Sequence, residues 1–250
     1  MATTITTLAI PNIITTFGKI YDGMKTADWG SIVTTTTLLI GENSTLQWKD
    51  EVIEHAMFLD YYFQHPPYDL GERSRWSEAK AIFETLLAIT HGKCRPEQVH
   101  GTLLSNSTLP RPPKGKRLLI PEDEAKEGIV HIKSIIEKNP TIKYIFVMGL
   151  QANYYLQKFG LYSCGEGRDE FLRGAEPRRI GLNPFNPFYQ PVNAKPFRDI
   201  CFKRYRSIPY PQIEVIPILP VKSYPLSGAD LNNYGDNFDT LKQSFKSQEE

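Results

Sequence analysis

The chain has 250 residues, which is enough to bury the core of one large domain. Its composition, 40% hydrophobic and 23% charged, is typical of a soluble globular protein, and its net charge of +1 excludes a global field that would attract nucleic acid. No stretch approaches the roughly 18 consecutive apolar residues of a membrane span, and the N-terminus lacks the basic region of a signal peptide, so we expect a cytoplasmic protein.

The cysteines and histidines do not predict a metal or disulfide site. Cys94, Cys164 and Cys201 are widely separated and form no CxxC pair, which argues against a zinc site, an iron–sulfur cluster and a disulfide framework. The histidines show no metal-ligand spacing, and the chain contains no Walker loop, no GxGxxG motif and no GxSxG elbow. The sequence therefore predicts a protein without a metal or other cofactor.

Two apolar patterns alternate along the chain. Continuous apolar or β-branched runs predict buried strands, and apolar residues at intervals of three and four predict amphipathic helices. In chain order the patterns predict a helix at about 10–27, a strand at 33–41, helices at 48–63 and 74–91, a strand at 99–106, a helix at 121–138, a strand at 142–149, a helix at 150–158, a strand at 213–220 and a final helix at 229–246. This alternation predicts an α/β protein, a three-layer α/β/α sandwich around a short four-stranded parallel sheet, in a single domain over 1–250.

The first strand ends in polar residues. Four threonines run into three aliphatic residues, the run breaks at Gly41, where the backbone can turn sharply, and Glu42 and Asn43 follow directly. Polar side chains at the carboxyl end of a buried strand lie where open α/β sheets bind ligands. An ordinary strand followed by a polar loop would give the same pattern.

The other three strands end in a similar way. Their polar or glycine-containing turns are Asn106-Ser-Thr, Gly149-Leu-Gln and Lys222-Ser-Tyr. Because the carboxyl ends of parallel strands lie at one edge of a sheet, we expect all four turns to meet around a single crevice. The prolines of the fourth strand favour an edge position or a bulge.

Residues at about 161–211 are rich in proline, glycine, asparagine and aromatic side chains, which predicts an irregular insertion. Between Arg168 and Arg206 basic residues outnumber acidic ones and are interleaved with aromatics, a pattern that suits either single-strand stacking or an ordinary solvated surface. A second basic run follows the second strand and could contact phosphates. Its residues are Arg111, Lys114, Lys116 and Arg117.

The turns resemble the motifs of the uracil-DNA glycosylase superfamily, in the family's order and over roughly residues 33–228. The matching segments are Leu38-Leu-Ile-Gly-Glu-Asn-Ser44, Leu103-Leu-Ser-Asn106 with Pro110-Arg-Pro-Pro-Lys-Gly-Lys-Arg117, Ile145-Phe-Val-Met-Gly-Leu-Gln-Ala152 and Lys222-Ser-Tyr-Pro-Leu-Ser227. Three features depart from the family. Lys222 replaces the histidine of the last motif, the first motif lacks the usual proline-glycine continuation, and the cluster-binding cysteines of the thermostable branch are absent.

The resemblance implies hydrolysis of the N-glycosidic bond of a flipped uracil or related damaged base. Glu42 or Asn43 stands where the family orients the hydrolytic water, and Glu42 is also capable of general-base catalysis. Asn106 stands where the base edge is read by an amide donor and acceptor, and Lys222 would stabilise the departing base. Each residue also has a structural alternative, which is an ion pair for Glu42, a turn cap for Asn106 and a solvated loop position for Lys222.

The remaining contacts would come from aromatic and apolar residues. Phe63 or Tyr68 would stack on the base, and Leu226 would wedge into the duplex or cover the helix that follows it. We expect a monomer that binds single-stranded DNA or a duplex with a flipped base and has no membrane partner. Two other functions fit the pattern, a non-catalytic nucleic-acid-binding relative and a small-molecule-binding flavodoxin-like α/β protein.

Overall fold

The computed structural model of the chain describes residues 29–30, 35–46, 84–95, 98–110, 119–176, 194–220 and 226–247, with the backbone alone at 29–30, 43–46, 106–110 and 194–196. Within these ranges the chain forms a mixed α/β fold around one sheet. None of the described helices combines the length and the apolar character that crossing a membrane requires.

The sheet contains six strands in the described part of the chain. They are β1 (Trp29–Gly30), β2 (Thr37–Leu46), β3 (Val99–Pro110), β4 (Tyr144–Met148), β5 (Tyr205–Arg206) and β6 (Glu214–Ile218), in the spatial order β1-β3-β2-β4-β6-β5. The four longer strands are parallel, as predicted, whereas β1 and β5 pair antiparallel at the two edges. The predicted count of four strands is therefore wrong, because two-residue edge strands are too short to produce a periodic pattern.

The core lies around the middle of the sheet. Leu38, Leu39 and Ile40 of β2 are all buried, although successive side chains of a strand point to opposite faces. The register places Ile40 beside Thr102 of β3 and Val147 of β4, both of which are buried too. Both faces of the central strand are thus covered, which explains the continuous apolar run in the sequence.

Five helices are described from residue 122 onward, of which the first, second and fifth match predicted helices and the third and fourth lie in the segment predicted to be irregular. They are α1 (Glu122–Lys138), α2 (Leu150–Lys158), α3 (Arg168–Ala175), α4 (Ala194–Ile200) and α5 (Gly228–Lys246), with a 3-10 turn at Gly165–Gly167, and residues 84–89 are helical within the helix predicted at 74–91. α1 begins directly after Pro121, with acidic residues in its first turn. The helices predicted at 10–27 and 48–63 lie outside the described residues.

β6 is not an edge strand, because it lies between β4 and β5, whereas the prolines of its sequence favour an edge or a bulge. β5 pairs only with Glu214 and Val215, so Pro217 lies beyond the reach of β5 while it remains in register with Val147 on the other side. A residue without an N–H can be accommodated where one side of the strand carries no ladder. The predicted edge position is therefore wrong for β6, although Pro217 itself has no register partner in β5.

The segment at 161–211 is more regular than its composition suggests. Its described parts contain α3, α4 and β5, and the aromatic side chains of Tyr162, Phe171, Phe197 and Phe202 are buried. These rings bury apolar area in the core rather than forming a solvated stacking surface, which is why a proline- and glycine-rich stretch still folds into helices. The run of prolines and aromatics at 183–191 lies outside the described residues.

Candidate functional site

The strand order creates a switch point between β2 and β4. After β2 the chain passes to β3 on one side of it, whereas after β4 the chain passes to β5 and then β6, which both lie on the opposite side. The connections that leave the carboxyl ends of these two neighbouring strands therefore diverge. Open α/β sheets bind their ligands at this position, outside the carboxyl ends of the strands.

Glu42 lies at the switch point. Its half-buried side chain crosses from β2 to the first turn of α2, where carboxylate Oε1 accepts a hydrogen bond of 2.8 Å from the backbone N–H of Gln151. Backbone N–H groups in the first turn of a helix have no partner within the helix, and the helix dipole there favours negative charge. The start of α2 thus fixes the position of the Glu42 carboxylate.

Gly149 makes this contact possible. It joins β4 to α2 with a φ of +84°, a conformation that side-chain-bearing residues rarely adopt. A Cβ at this position would also lie 2.7 Å from Glu42 Cδ, well inside van der Waals contact. The glycine that ends the third predicted strand is therefore required by the backbone turn and by the approach of Glu42.

The neighbouring strand carries an irregularity at Asn106. The register pairs Asn43 with Ser105, but the next pair is Ser44 with Thr108, so Asn106 and Ser107 form a bulge in β3. β3 then continues to Pro110 instead of ending at Asn106 as predicted, because β2 continues past its predicted end at Gly41 to Leu46 and pairs with it. Glu42 and Asn43 therefore lie within β2 and not in a turn after it, as the sequence pattern predicts. Bulges often occur beside active sites, where they redirect the side chains of a strand. The side chains of Asn43 and Asn106 lie outside the described residues.

A second carboxylate approaches β3 just before this bulge. The buried Ser105 hydroxyl donates a long hydrogen bond of 3.4 Å to Glu124 Oε2 in the first turn of α1. The sequence around Glu124 shows only an acidic residue in the first turn of a helix, where negative charge is favourable. Its contact with the end of β3 depends on how α1 packs, which no local pattern reveals.

Of the other predicted site residues, only Leu226 lies within the described part of the chain. Leu226 is partly buried and packs against the hydrophobic core just before α5. This contact fits a covering residue, and its role as a duplex wedge stays a prediction. The rest lie outside the described residues, namely Phe63, Tyr68, Arg111, Lys114, Lys116, Arg117 and Lys222.

Sequence reasoning missed a row of buried amides on α2. Gln151, Asn153 and Gln157 are all at most 2% exposed, so their polar atoms need partners within the protein. Asn153 Nδ2 donates to the carbonyls of Val147 and Gly149, and Asn153 Oδ1 accepts from the Tyr162 hydroxyl at 2.7 Å. A helix that directly follows a buried strand was the available sign, but amide residues read as surface residues without tertiary information.

Burial disfavours the thiolate form of all three cysteines. Burial raises the pKa of the Cys94 thiol to about 12, and burial also raises the pKa values of Cys164 and Cys201. The reactive thiolate is therefore scarce at neutral pH at all three positions. The described part of the chain also contains no group of three or more histidine, cysteine and acidic residues arranged to hold a metal ion.

Comparison with known proteins finds no family to which the chain belongs. No protein-family model matches the sequence, and no curated protein matches it significantly.

Proposed function

We propose that the protein is a uracil-DNA glycosylase-like hydrolase with a three-layer α/β/α architecture, which cleaves the N-glycosidic bond of a flipped uracil or related damaged base. The observation that carries this proposal is the Glu42 carboxylate, held by the Gln151 N–H at the switch point of the sheet. The order of the sequence motifs and the bulge at Asn106 support it.

Glu42 is suited to handling the attacking water. A carboxylate fixed by a backbone N–H presents its oxygens in a defined direction, so it can orient a water molecule and accept its proton. Asn43 is the alternative at the next position of β2, but a neutral amide can orient water without deprotonating it. Glu42 is therefore assigned the catalytic role and Asn43 a supporting one.

Asn106 is assigned to the base. It lies on the strand beside β2, one residue past the Asn43–Ser105 pair, at the bulge that interrupts the regular alternation of side chains. An amide offers one donor and one acceptor face, which matches the imide edge of uracil. Recognition of a base outside the stack requires such an edge-on contact together with an aromatic platform, for which Phe63 and Tyr68 are the candidates.

The remaining roles rest on the sequence motifs. Lys222 would stabilise the negative charge that develops on the departing base, as a fixed cation does for an oxyanion. Arg111, Lys114, Lys116 and Arg117 would contact phosphates, and Leu226 would fill the space that the flipped base leaves. The proposed partner is therefore DNA, either single-stranded or as a duplex.

An excision assay tests the proposal. Uracil- and mismatch-containing oligonucleotides, single-stranded and duplex, are incubated with the full chain, and abasic product is detected by alkaline cleavage. We expect Glu42→Gln to lower the excision rate about 100-fold or more, since it removes a general base. Asp123→Asn makes the same chemical change at a side chain that is 97% exposed, and it should leave the rate unchanged.

The outcomes separate the possible functions. Abasic product that is lost in Glu42→Gln and in Asn106→Ala supports the glycosylase. Salt-dependent DNA binding without product would instead indicate a non-catalytic relative of the same fold. The absence of both product and DNA retardation at low salt would overturn any function on DNA.

A small-molecule function on a flavodoxin-like sheet is the second candidate, because one observation favours it. The four parallel strands have the order in which such sheets bind a phosphorylated cofactor at the switch point. However, the Glu42 carboxylate already accepts a first-turn N–H of α2, where a bound phosphate would be expected. Glu42 would repel an anionic ligand there, so the geometry favours the hydrolytic function.

A further inference from the structure

The backbone N–H and the carbonyl of Ile120 both form hydrogen bonds with side chains of α2. The Ile120 N–H donates to Gln151 Oε1 at 3.0 Å, and the Ile120 carbonyl accepts from the Tyr155 hydroxyl at 2.9 Å. Gln151 and Tyr155 are one turn apart on α2, so they lie on the same face of the helix. All three residues are at most 5% exposed. We call this arrangement the Ile120 clamp.

The clamp is rigid because its two side chains are themselves held. The Tyr155 ring packs edge-to-face on Tyr154, at 5.0 Å between centroids, and lies parallel to Phe159 at 6.0 Å. These aromatic contacts restrict where the hydroxyl of Tyr155 can point. A buried hydrogen bond that is fully formed on both sides also resists opening, because breaking it leaves an unpaired polar group in the interior.

Gln151 connects the clamp to the acidic site. Its side chain accepts from Ile120, while its own backbone N–H donates to Glu42 Oε1. A single residue of α2 thus contacts both the carboxylate that follows the centre of β2 and the peptide that precedes α1. Any movement of Ile120 relative to α2 acts directly on the turn that holds Glu42.

Helix α1 extends this connection to the end of β3. α1 starts two residues after Ile120, and its Gly128 lies so close to β3 that a Cβ there would overlap the Leu104 carbonyl. Glu124 of the same helix accepts the hydrogen bond from Ser105, the residue that precedes Asn106. The position of Ile120 therefore sets the position of α1 against the strand that carries Asn106.

We propose that Gln151 and Tyr155 are positioning residues of the site, which fix Glu42 relative to the Asn106 bulge through the Ile120 clamp. Neither side chain touches the reacting atoms in this assignment. The inference rests on the proposed function, because the two groups that it aligns are the water-handling carboxylate and the base-reading amide. Misalignment of such groups lowers the rate of chemistry more than it lowers binding.

The test removes the Tyr155 hydroxyl alone. Tyr155→Phe keeps the ring contacts and deletes one hydrogen bond to Ile120. We expect the kcat for uracil excision to fall about fivefold while KM stays unchanged, when both are measured at a temperature well below the unfolding temperature of the variant. Tyr154→Phe is the matched control, since it makes the same change on the adjacent residue, beside Lys158 instead of Ile120, and should keep the kcat of the unmodified chain. Equal kcat values for the two variants would overturn the proposal.

A double substitution shows whether the two residues act as one unit. Gln151→Leu deletes the other half of the clamp but keeps the backbone N–H that binds Glu42. If the clamp acts as a unit, the double variant Gln151→Leu with Tyr155→Phe loses no more kcat than the more severe single variant. Losses that multiply would indicate two independent structural contacts and contradict the clamp.

Hydrogen exchange of backbone amides tests the Ile120 clamp without relying on uracil excision. If the unmodified chain excises no base, the proposed function fails, and the clamp is then judged by hydrogen exchange at the Ile120 and Gln151 amides, followed by NMR. We expect Tyr155→Phe to accelerate exchange at both amides several-fold, because the second amide is bonded to Glu42 and moves with the first. Unchanged rates at Gln151 would show that the clamp does not reach the acidic site.

Discussion

Gly149 is the residue at which the backbone turn and the acidic site depend on each other. Its φ of +84° and the carboxylate packed against its Cα impose two separate demands on the same position. We expect Gly149→Ala to cost about 1–2 kcal/mol for the left-handed backbone conformation and a further amount for displacing Glu42. The change in the free energy of unfolding is measured by equilibrium denaturation in urea.

Gly160→Ala is the matched control for this prediction. Gly160 also has a positive φ, +74°, but a Cβ there would meet no atom within 4 Å. It should therefore show the backbone cost alone, about 1–2 kcal/mol. Equal destabilisation by the two substitutions would mean that Glu42 gives way without cost, and the close contact would then have no role in placing the carboxylate.

At the scale of single residues, the sequence predicts types of side chain better than their partners. The end of an apolar run marked Glu42, although β2 continues beyond it to Leu46, and a glycine at a strand end marked Gly149. The hydrogen bond from Gln151 to Glu42 joins residues that are 109 positions apart, so no spacing rule reveals it. The buried amides of α2 were missed for the same reason, because burial of a polar group depends on a partner elsewhere in the chain.

At the scale of elements, the contact between α1 and β3 depends on Gly128. A Cβ at Gly128 would lie 2.7 Å from the Leu104 carbonyl carbon and would overlap the carbonyl oxygen, so the helix would have to move away from the strand. We expect Gly128→Ala to destabilise the protein by about 3 kcal/mol or more, at the upper end of overpacking effects. Thermal and urea unfolding followed by circular dichroism measure the loss.

A glycine-to-alanine substitution at an open position of another helix should raise the free energy of unfolding instead of lowering it. Gly235 lies inside α5, and a Cβ built there would meet no atom within 4 Å. Gly235→Ala should therefore stabilise the protein by about 0.5–1 kcal/mol, since alanine loses less backbone entropy in a helix. If Gly128→Ala were also neutral or stabilising, the close packing of α1 on β3 would be excluded.

The sequence predicts well the elements with a strong hydrophobic periodicity or clear end signals. It does not predict the strand segments that form only because they pair with a distant part of the chain. The bounds of α2 match the sequence interpretation, because its start after a glycine and its end before Gly160 are local signals. The extension of β3 to Pro110 was not predicted, since it depends on pairing with the end of β2 across a bulge. A proline at a strand end looks like a terminator until its partner strand is known.

At the scale of the whole molecule, the sequence predicts the edge at which the site lies but not the order of the strands. Alternating strands and helices imply parallel strands whose carboxyl ends share one edge. Which strands are neighbours is decided by the packing of the crossover helices, and that order places the switch point between β2 and β4. The convergence of Glu42 and Gly149 thus follows from topology, whereas the contacts of Lys222 stay a prediction.

The last helix is fixed to the sheet by a set of contacts at its C-terminal end. Lys93 Nζ donates to the Phe245 carbonyl at 2.9 Å, and Arg204 donates to the Ser244 carbonyl and hydroxyl. Cations at the last carbonyls of a helix also interact favourably with the helix dipole. The Phe245 ring is fully buried and packs edge-to-face on Tyr144 of β4, at 5.2 Å between centroids.

Arg204 connects this helix end to the sheet, because its guanidinium also pairs with Glu214 of β6 and lies 4.6 Å from the centroid of the Phe245 ring. The side chains of the pair are only 18% and 22% exposed, so solvent screens the interaction weakly. We expect Arg204→Lys to cost about 1–3 kcal/mol of unfolding free energy, since an ammonium cannot reproduce the planar contacts with both partners. Arg206→Lys, two residues along and exposed, should change the stability by less than about 0.5 kcal/mol. Hydrogen exchange of α5 in Arg204→Lys locates the loss, and unchanged protection of its last turn would contradict the assigned role.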